Sequence, residues 1–234
     1  MNQRSGDQRS TRTHRLLLLA TALSAGPAAD GLLAAQVPAA ARPPAWRYLF
    51  DGESLNGWRI TNFYKPGTLR VDPSFRDGVG AIRAKAGVFL TGITWENDDD
   101  LPRTDYEISV EAMKISGQDF FCGLTFPVGD SACSFIVGGW GGSVVGLSSV
   151  DDFDAAENET CQIREFAADR WYRIRVRVTA ARITAWIDDE QLVDLEIDGR
   201  RLDVRAGEIE YSIPLGVAAY QTEAAWRGIR LRRL

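Results

Sequence analysis

Proton transfer, metal ligation and nucleophile activation near neutral pH draw most often on histidine, and this 234-residue sequence holds one, His14. It falls in MNQRSGDQRSTRTHRLLLLATALSAG, where Arg9, Arg12 and Arg15 precede an apolar run from Leu16 to Leu23, the layout of a secretory signal peptide. Cleavage near the end of residues 1–29 would leave a mature chain without imidazole. A Ser-His-Asp triad, a histidine zinc site and a histidine general base are thereby excluded. Acid–base chemistry falls to Asp, Glu, Lys, Tyr or a metal-bound water.

Four carboxylates form the candidate catalytic set: Glu111, Asp119, Asp151 and Glu159. Glu107 and Glu111 share one face of a strand whose alternates, Ile108, Val110 and Ala112, face a core. Four residues of extended chain set those two carboxylates about 13 Å apart, too far to act as a pair. Glu111 is the better placed, because it approaches Asp119 across a short turn; a solvated strand face is the competing reading. Asp119, in SGQDFF, reads either as a turn cap or as a reactive carboxylate at the edge of a long uncharged run. The segment VDDFDAAENET, Val150 to Thr160, gathers five carboxylates and Asn158 in one loop. It reads as a solvated acidic loop, as a ligand-contacting or catalytic loop, or as an oxygen-ligated calcium site whose spacing fits no standard calcium loop. Beyond that calcium alternative no cofactor is expected, and no metal ligand is assigned.

These side chains need a scaffold, and the sequence supplies β-structure. In RWYRIRVRV, Tyr172, Ile174, Val176 and Val178 alternate with Trp171, Arg173, Arg175 and Arg177, the period of a strand with one wet face. ITAWIDDEQLVDLEI continues it as a hairpin with a tight turn at Asp188-Asp189. Further strands are expected at 47–50, 80–84, 87–91, 105–115, 120–128, 132–138, 143–148, 161–166, 214–220 and 226–233. A dozen or so strands in about 190 residues need two stacked sheets, so the fold class is all-β: an antiparallel two-sheet jelly-roll sandwich with its first and last strands close together. From Phe120 to Val150 the only charge is Asp130. Within that run CSFIVGGWGGSVVGLSS holds five glycines, which make a poor membrane helix and a plausible pair of strands meeting at a glycine turn around Trp140.

Domain boundaries follow: a signal peptide over 1–29, an Ala/Pro-rich linker over 30–45, and one domain over 46–234. Without 1–29 the chain carries 23 basic against 31 acidic residues, formally −8, which excludes nucleic acid as a partner. No membrane span is expected in the mature chain, and its location is periplasmic or extracellular in a bacterium. Of the three cysteines, a hairpin pairing Cys122 with Gly138 would put Cys133 about 16 Å from Cys122, so those two cannot bridge; Cys161 could reach either, and three buried thiols acting as small hydrophobes is the preferred expectation.

The opening LFDGESLNGW, Leu49 to Trp58, resembles the start of the 3-keto-disaccharide hydrolase-like domain, a family of the concanavalin A-like lectin/glucanase superfamily. DYEISVEA, FFCGLTFPVGDSACSFIVGGWGG, ENET, RWYRIRVRV, ITAWIDD and PLGVAAYQTEAAWRGIRLRRL extend the resemblance in order over 46–234. The resemblance implies a carbohydrate partner, an oxidised disaccharide or glycan, and cleavage of 3-keto-glycosides. A ketone at C3 acidifies the C2 hydrogen, so a base can remove it and expel the C1 substituent. Sugars stack their C–H faces on indoles, which makes Trp140 and Trp95, with Asn158, the expected substrate-binding residues. Two alternatives stay open: a lectin-like module that binds glycan without chemistry, and an envelope interaction domain.

Overall fold

Burial along RWYRIRVRV follows the alternation: Tyr172, Ile174, Val176 and Val178 are buried, and the arginines between them are partly open to solvent. Repeated across the chain, that pattern forces two sheets to share one apolar layer. A computed structural model describes residues 44–234. The expected leader and all but the last two residues of the expected linker lie outside the described residues.

The strands in chain order are β1 (Arg47–Tyr48), β2 (Trp58–Ile60), β3 (Leu69–Asp72), β4 (Ala81–Ala84), β5 (Leu90–Trp95), β6 (Tyr106–Gly117), β7 (Cys122–Val128) and β8 (Ser131–Gly139). They continue as β9 (Val144–Ser148), β10 (Gln162–Ile163), β11 (Trp171–Val178), β12 (Arg182–Ile187), β13 (Glu190–Glu196), β14 (Gly216–Tyr220) and β15 (Thr222–Arg233). An eight-stranded sheet has the order β13-β12-β11-β6-β15-β4-β3, with β1 also on β15; a seven-stranded sheet runs β10-β9-β8-β7-β14-β5-β2. The first strand pairs with the last, and the sandwich is antiparallel throughout, of jelly-roll type. Among the described residues no helix is long and apolar enough to cross a membrane.

Between the sheets lie Phe126, Phe135, Leu124, Ile108, Val110, Ile174 and Ile82, all buried. Each such side chain contributes about 1.5–3 kcal/mol. Trp226 is wholly buried and donates from Nε1 to the Phe121 carbonyl at 2.8 Å, so its polar edge is satisfied inside the core.

Several expected boundaries shift. Strands β2 and β3 were not anticipated, β5 starts three residues later than expected, and β15 begins at Thr222 rather than 226. The β7–β8 hairpin turns on two residues, Gly129 and Asp130, with Gly129 at φ +52°. Two-residue turns match the twist of paired strands. Val128 therefore faces Ser131 and Cys122 faces Val137, one position off the expected register. Cys122, Cys133 and Cys161 are all free thiols.

Candidate functional site

The outer face of the seven-stranded sheet is where small residues accumulate. On β8, Cys133, Phe135 and Val137 enter the main core, so Ser134 and Ile136 point the other way. Thr125 and Ser134 share a hydroxyl hydrogen bond of 2.8 Å, and Gly123 leaves room for Phe120 and Ile136, whose atoms a Cβ there would meet at 3.0 and 3.4 Å. Over this floor runs the segment from Leu202 to Ile213. It is tied at one end by Ser149 N–H to the Asp203 carbonyl, 2.6 Å, and at the other by Thr94 Oγ1 to the Tyr211 carbonyl, 2.9 Å. Gly216 permits its close approach, since a Cβ there would lie 2.7 Å from Ser212 Cβ.

Between this segment and the floor is a cleft of about 460 Å3, within the size range of small-molecule sites. Its floor is Leu90, Ser134, Ile136 and Ser148. Aromatic rings follow one another along its rim: Tyr64 and Phe89 (centroids 6.4 Å apart), Phe89 and Tyr220 (6.1 Å), Tyr220 and Phe120 (5.8 Å). Tyr64, Phe89 and Trp140 are exposed on this rim.

Three charged side chains reach the cleft or its extension. Glu208 lines it; its Oε1 accepts the Tyr64 backbone N–H at 2.8 Å, while Oε2 is buried without a hydrogen-bond partner. An acceptor left so costs about 1–3 kcal/mol, a penalty that a bound hydroxyl or proton removes. Arg205 is held by Asp154, Nε to Oδ2 3.0 Å, with its guanidinium 6.0 Å from the Trp140 ring centre. Ser148 Oγ also donates to Asp154, at 3.3 Å. Asp119 borders an adjoining cavity of about 220 Å3 and accepts backbone N–H groups from Phe120 (2.8 Å) and Gly141 (3.3 Å).

Of the expected residues, Asp119 and Trp140 meet at this cleft. Trp140 sits at φ +47° in the β8–β9 turn, next to Gly141 and Gly142 at φ +89° and +102°, so the glycine bracket lifts the indole away from the sheet. Glu111 lies on the other sheet, where Arg227 donates to it at 2.7 Å. It does not join Asp119, because β6 and β7 belong to different sheets. Trp95 is buried in the core against Trp58, centroids 5.1 Å apart, and its Nε1 donates to the Asn97 carbonyl. Asn158 is buried, its amide spent on the carbonyls of Leu147, Phe153 and Asp154 and on Thr160; it shapes the loop and has no free group for a ligand. Asp151 and Glu159 both pair with Arg200 and do not line the cleft. The loop carboxylate that does reach it is Asp154, through Arg205 and Ser148. With Asp152 on Arg201 as well, four of the loop's five acids, all but Glu157, are matched by arginines, and among the described residues no group of three or more His, Cys, Asp or Glu is placed to hold a metal ion.

Glu208, Arg205, Tyr64, Phe89 and Tyr220 were not singled out from the sequence. GEIEYS, around Glu208, has neither strand period nor motif, and the five residues lie up to 156 positions apart, from Tyr64 to Tyr220. One signal was readable: Arg205 and Glu208 lie in a stretch, 198–213, that the strand pattern leaves unassigned and that is long for a connection in a sandwich.

Compared with solved structures, the domain is similar to domain 4 of an extracellular arabinanase from Geobacillus stearothermophilus in complex with arabinotriose (TM-score 0.50, 13% identity, 82% of this chain and 92% of that one covered). A Bacillus subtilis protein of unknown function with a galectin-like fold gives TM-score 0.49 at 10% identity over 76% and 90% of the two chains. A carbohydrate-binding module from Bacillus subtilis gives 0.45 at 12% identity over 75% and 95%. At 13% identity the likeness to the arabinanase domain is likeness of fold alone. No curated protein matches the sequence. Residues 45–232 match the 3-keto-alpha-glucoside-1,2-lyase-like domain, so the chain belongs to that carbohydrate-active family.

Proposed function

We propose that this chain is an exported lyase that cleaves 3-keto-α-glucosides by 1,2-elimination in the aromatic cleft, with Glu208 as the base. The observation that carries the reading is Glu208 itself: a carboxylate side chain lining the cleft, with Oε1 on the Tyr64 N–H and a buried Oε2 that no N–H or O–H of the protein occupies. The carboxylate takes the C2 proton, the released pair forms an enolate with the C3 carbonyl, and collapse of the enolate forms the C1–C2 double bond as the C1–O bond breaks. The leaving oxygen takes up one proton, giving an aglycone alcohol and a cyclic enone; later addition of water to the enone makes the net change a hydrolysis. Arg205, fixed by Asp154, supplies positive charge beside the developing oxyanion. The rings of Tyr64, Phe89, Tyr220 and Trp140 stack on the sugar and exclude water.

A positioned general base contributes about 10²–10⁴-fold. Purified protein incubated with 3-keto-trehalose or a chromogenic 3-keto-glucoside should release the aglycone with formation of an enone, and Glu208→Gln should lose that factor in kcat. No turnover above buffer by the wild type, with the sugar still bound in a calorimetric titration, would overturn the catalytic reading. That outcome selects the lectin-like alternative, which the exposed aromatic rim by itself also supports.

A further inference from the structure

The cleft has an annex. The cavity of about 460 Å3 and the one of about 220 Å3 share four lining residues, Phe120, Trp140, Arg205 and Tyr220. The smaller is below the ~300 Å3 at which small-ligand pockets begin, so it serves as an extension and not as an independent site. Each compartment has one carboxylate of its own: Glu208 lines only the larger and Asp119 only the smaller.

Resting on the elimination proposed above, we infer that the site takes a disaccharide in one fixed direction: the oxidised ring lies against Glu208 and the leaving sugar lies in the annex, gripped by Asp119 and Trp140. The direction follows from the chemistry. The proton to be removed is on C2 and the bond to be broken is on the neighbouring C1, so a ring whose C2 faces Glu208 projects its C1 substituent into the adjoining space. The larger compartment runs from Glu208 to the four shared residues, and beyond them only Asp119 is added. Asp119 is shaped for hydroxyl groups. Each of its oxygens accepts one backbone N–H, from Phe120 and Gly141, which fixes the carboxylate plane and leaves a second lone pair on each oxygen for a sugar O–H. Trp140 offers an exposed ring face beside it. Binding the leaving sugar there holds C1 and C2 in register with the base, so contacts remote from the proton raise kcat/KM for disaccharides. Asp119 is accordingly a specificity residue and takes no proton in the reaction.

The test compares a two-ring and a one-ring substrate. In the wild type, kcat/KM for 3-keto-trehalose should exceed that for methyl 3-keto-α-glucoside by tenfold or more, and Asp119→Asn and Trp140→Ala should each cut that ratio at least fivefold. Asp119→Ser, which keeps an acceptor for the Phe120 N–H, guards against misfolding and should cut it likewise. A parallel calorimetric arm with unoxidised trehalose and methyl α-glucoside reads the ratio of Kd values without turnover, and the same loss is expected. Equal losses on one-ring and two-ring ligands in both arms overturn the annex. Absence of turnover with a binding ratio that still falls in the variants overturns the elimination and leaves the annex standing.

Discussion

Glu107 and Glu208 are both carboxylates with oxygens shielded from water on the outer side of a sheet, and their surroundings could hardly differ more. Glu107, on the eight-stranded sheet, has no exposed surface and accepts hydrogen bonds from Arg175 (3.0 Å), Arg177 (2.8 Å) and Arg232 (2.7 Å). Those arginines are themselves packed, Arg175 over Trp186 at 3.9 Å and Arg232 over Trp46 at 4.6 Å. Nearby, Glu111 and Asp77 share Arg227. Glu208, across the sandwich, has one oxygen on a backbone N–H and the other on nothing, amid rings that stand open to solvent. A saturated network rigidifies a face and has no capacity left for a ligand; an unfinished one, next to a cavity, has capacity and no structural reason to keep it. The comparison leaves the eight-stranded face with its carboxylates spent on arginines and the seven-stranded face with room and an unpartnered acceptor beside it.

Swapping the two glutamates for glutamine is the most severe way to break that comparison. Glu208→Gln should lower turnover of a 3-keto-α-glucoside by about 10²–10⁴-fold while leaving the urea midpoint near that of the wild type. Glu107→Gln should do the reverse, lowering stability by about 1–3 kcal/mol because the wholly buried side chain loses its charge-assisted hydrogen bonds from three partly exposed arginines, with activity retained in the folded fraction. Burial pushes the Glu107 carboxyl up, but hydrogen bonds from Arg177 and Arg232 outweigh it and hold the group below the ordinary range. A carboxyl depressed in the fold contributes stability that is present above its unfolded pKa of about 4.3 and is lost as pH falls through the folded value. Urea midpoints measured from pH 6 down to pH 3 should therefore drop more steeply for the wild type than for Glu107→Gln. Parallel curves, or a loss of turnover in Glu107→Gln at full folding, would abolish the division between the faces.

The layer between the faces offers a second way to sharpen it, through groups that neither contact a ligand nor pair with charge. Burial pushes the Cys133 thiol up to about 12 and raises Cys122 as well. A raised acid is neutral in the fold while the unfolded chain ionises, so stability is intact below the unfolded pKa of about 8.5 and falls as pH rises towards the folded value. At pH 9.5 each thiol should have removed about 1–1.5 kcal/mol, and Cys122→Ala with Cys133→Ala should flatten the alkaline limb of the urea midpoint. In the native protein at pH 8 an alkylating reagent should modify one thiol, the partly exposed Cys161, and in urea all three.

How much of this was legible beforehand differs between the same two faces. Period-two alternation carried the strands: RWYRIRVRV, the Asp188-Asp189 turn, the core orientation of Ile108, Val110 and Ala112, and the pairing of first with last strand all follow from local pattern and sandwich geometry. Trp140 was legible too, because glycines on both sides leave an indole uncrowded. Glu111 shows the limit. Alternation put it correctly on the outer side of its strand, but which sheet owned that strand, and that Arg227 from the far end of the chain would neutralise it, are matters of tertiary pairing. The cleft is non-local in the same way. Its floor comes from β5, β8 and β9, and its charged wall comes from an irregular segment whose residues carry no period. A residue in that segment gains its meaning only from what the sheet places beneath it.

The smallest effect concerns the acidic loop, and it is the test that separates charge from chemistry most cheaply. Glu159 lies in the segment that, by composition alone, looked richest in catalytic groups. In the structure it pairs with Arg200, which Asp151 also engages, and about half of its side chain is exposed. An ion pair so open to solvent contributes at most about 1 kcal/mol. Glu159→Ala should therefore shift the urea midpoint by less than that and leave turnover as in the wild type, whereas Asp154→Ala, two carboxylates earlier in the same loop, frees Arg205 and Ser148 and should cost turnover. If Glu159→Ala abolishes turnover, the cleft at Glu208 is the wrong place to look, and the loop itself must close over the substrate.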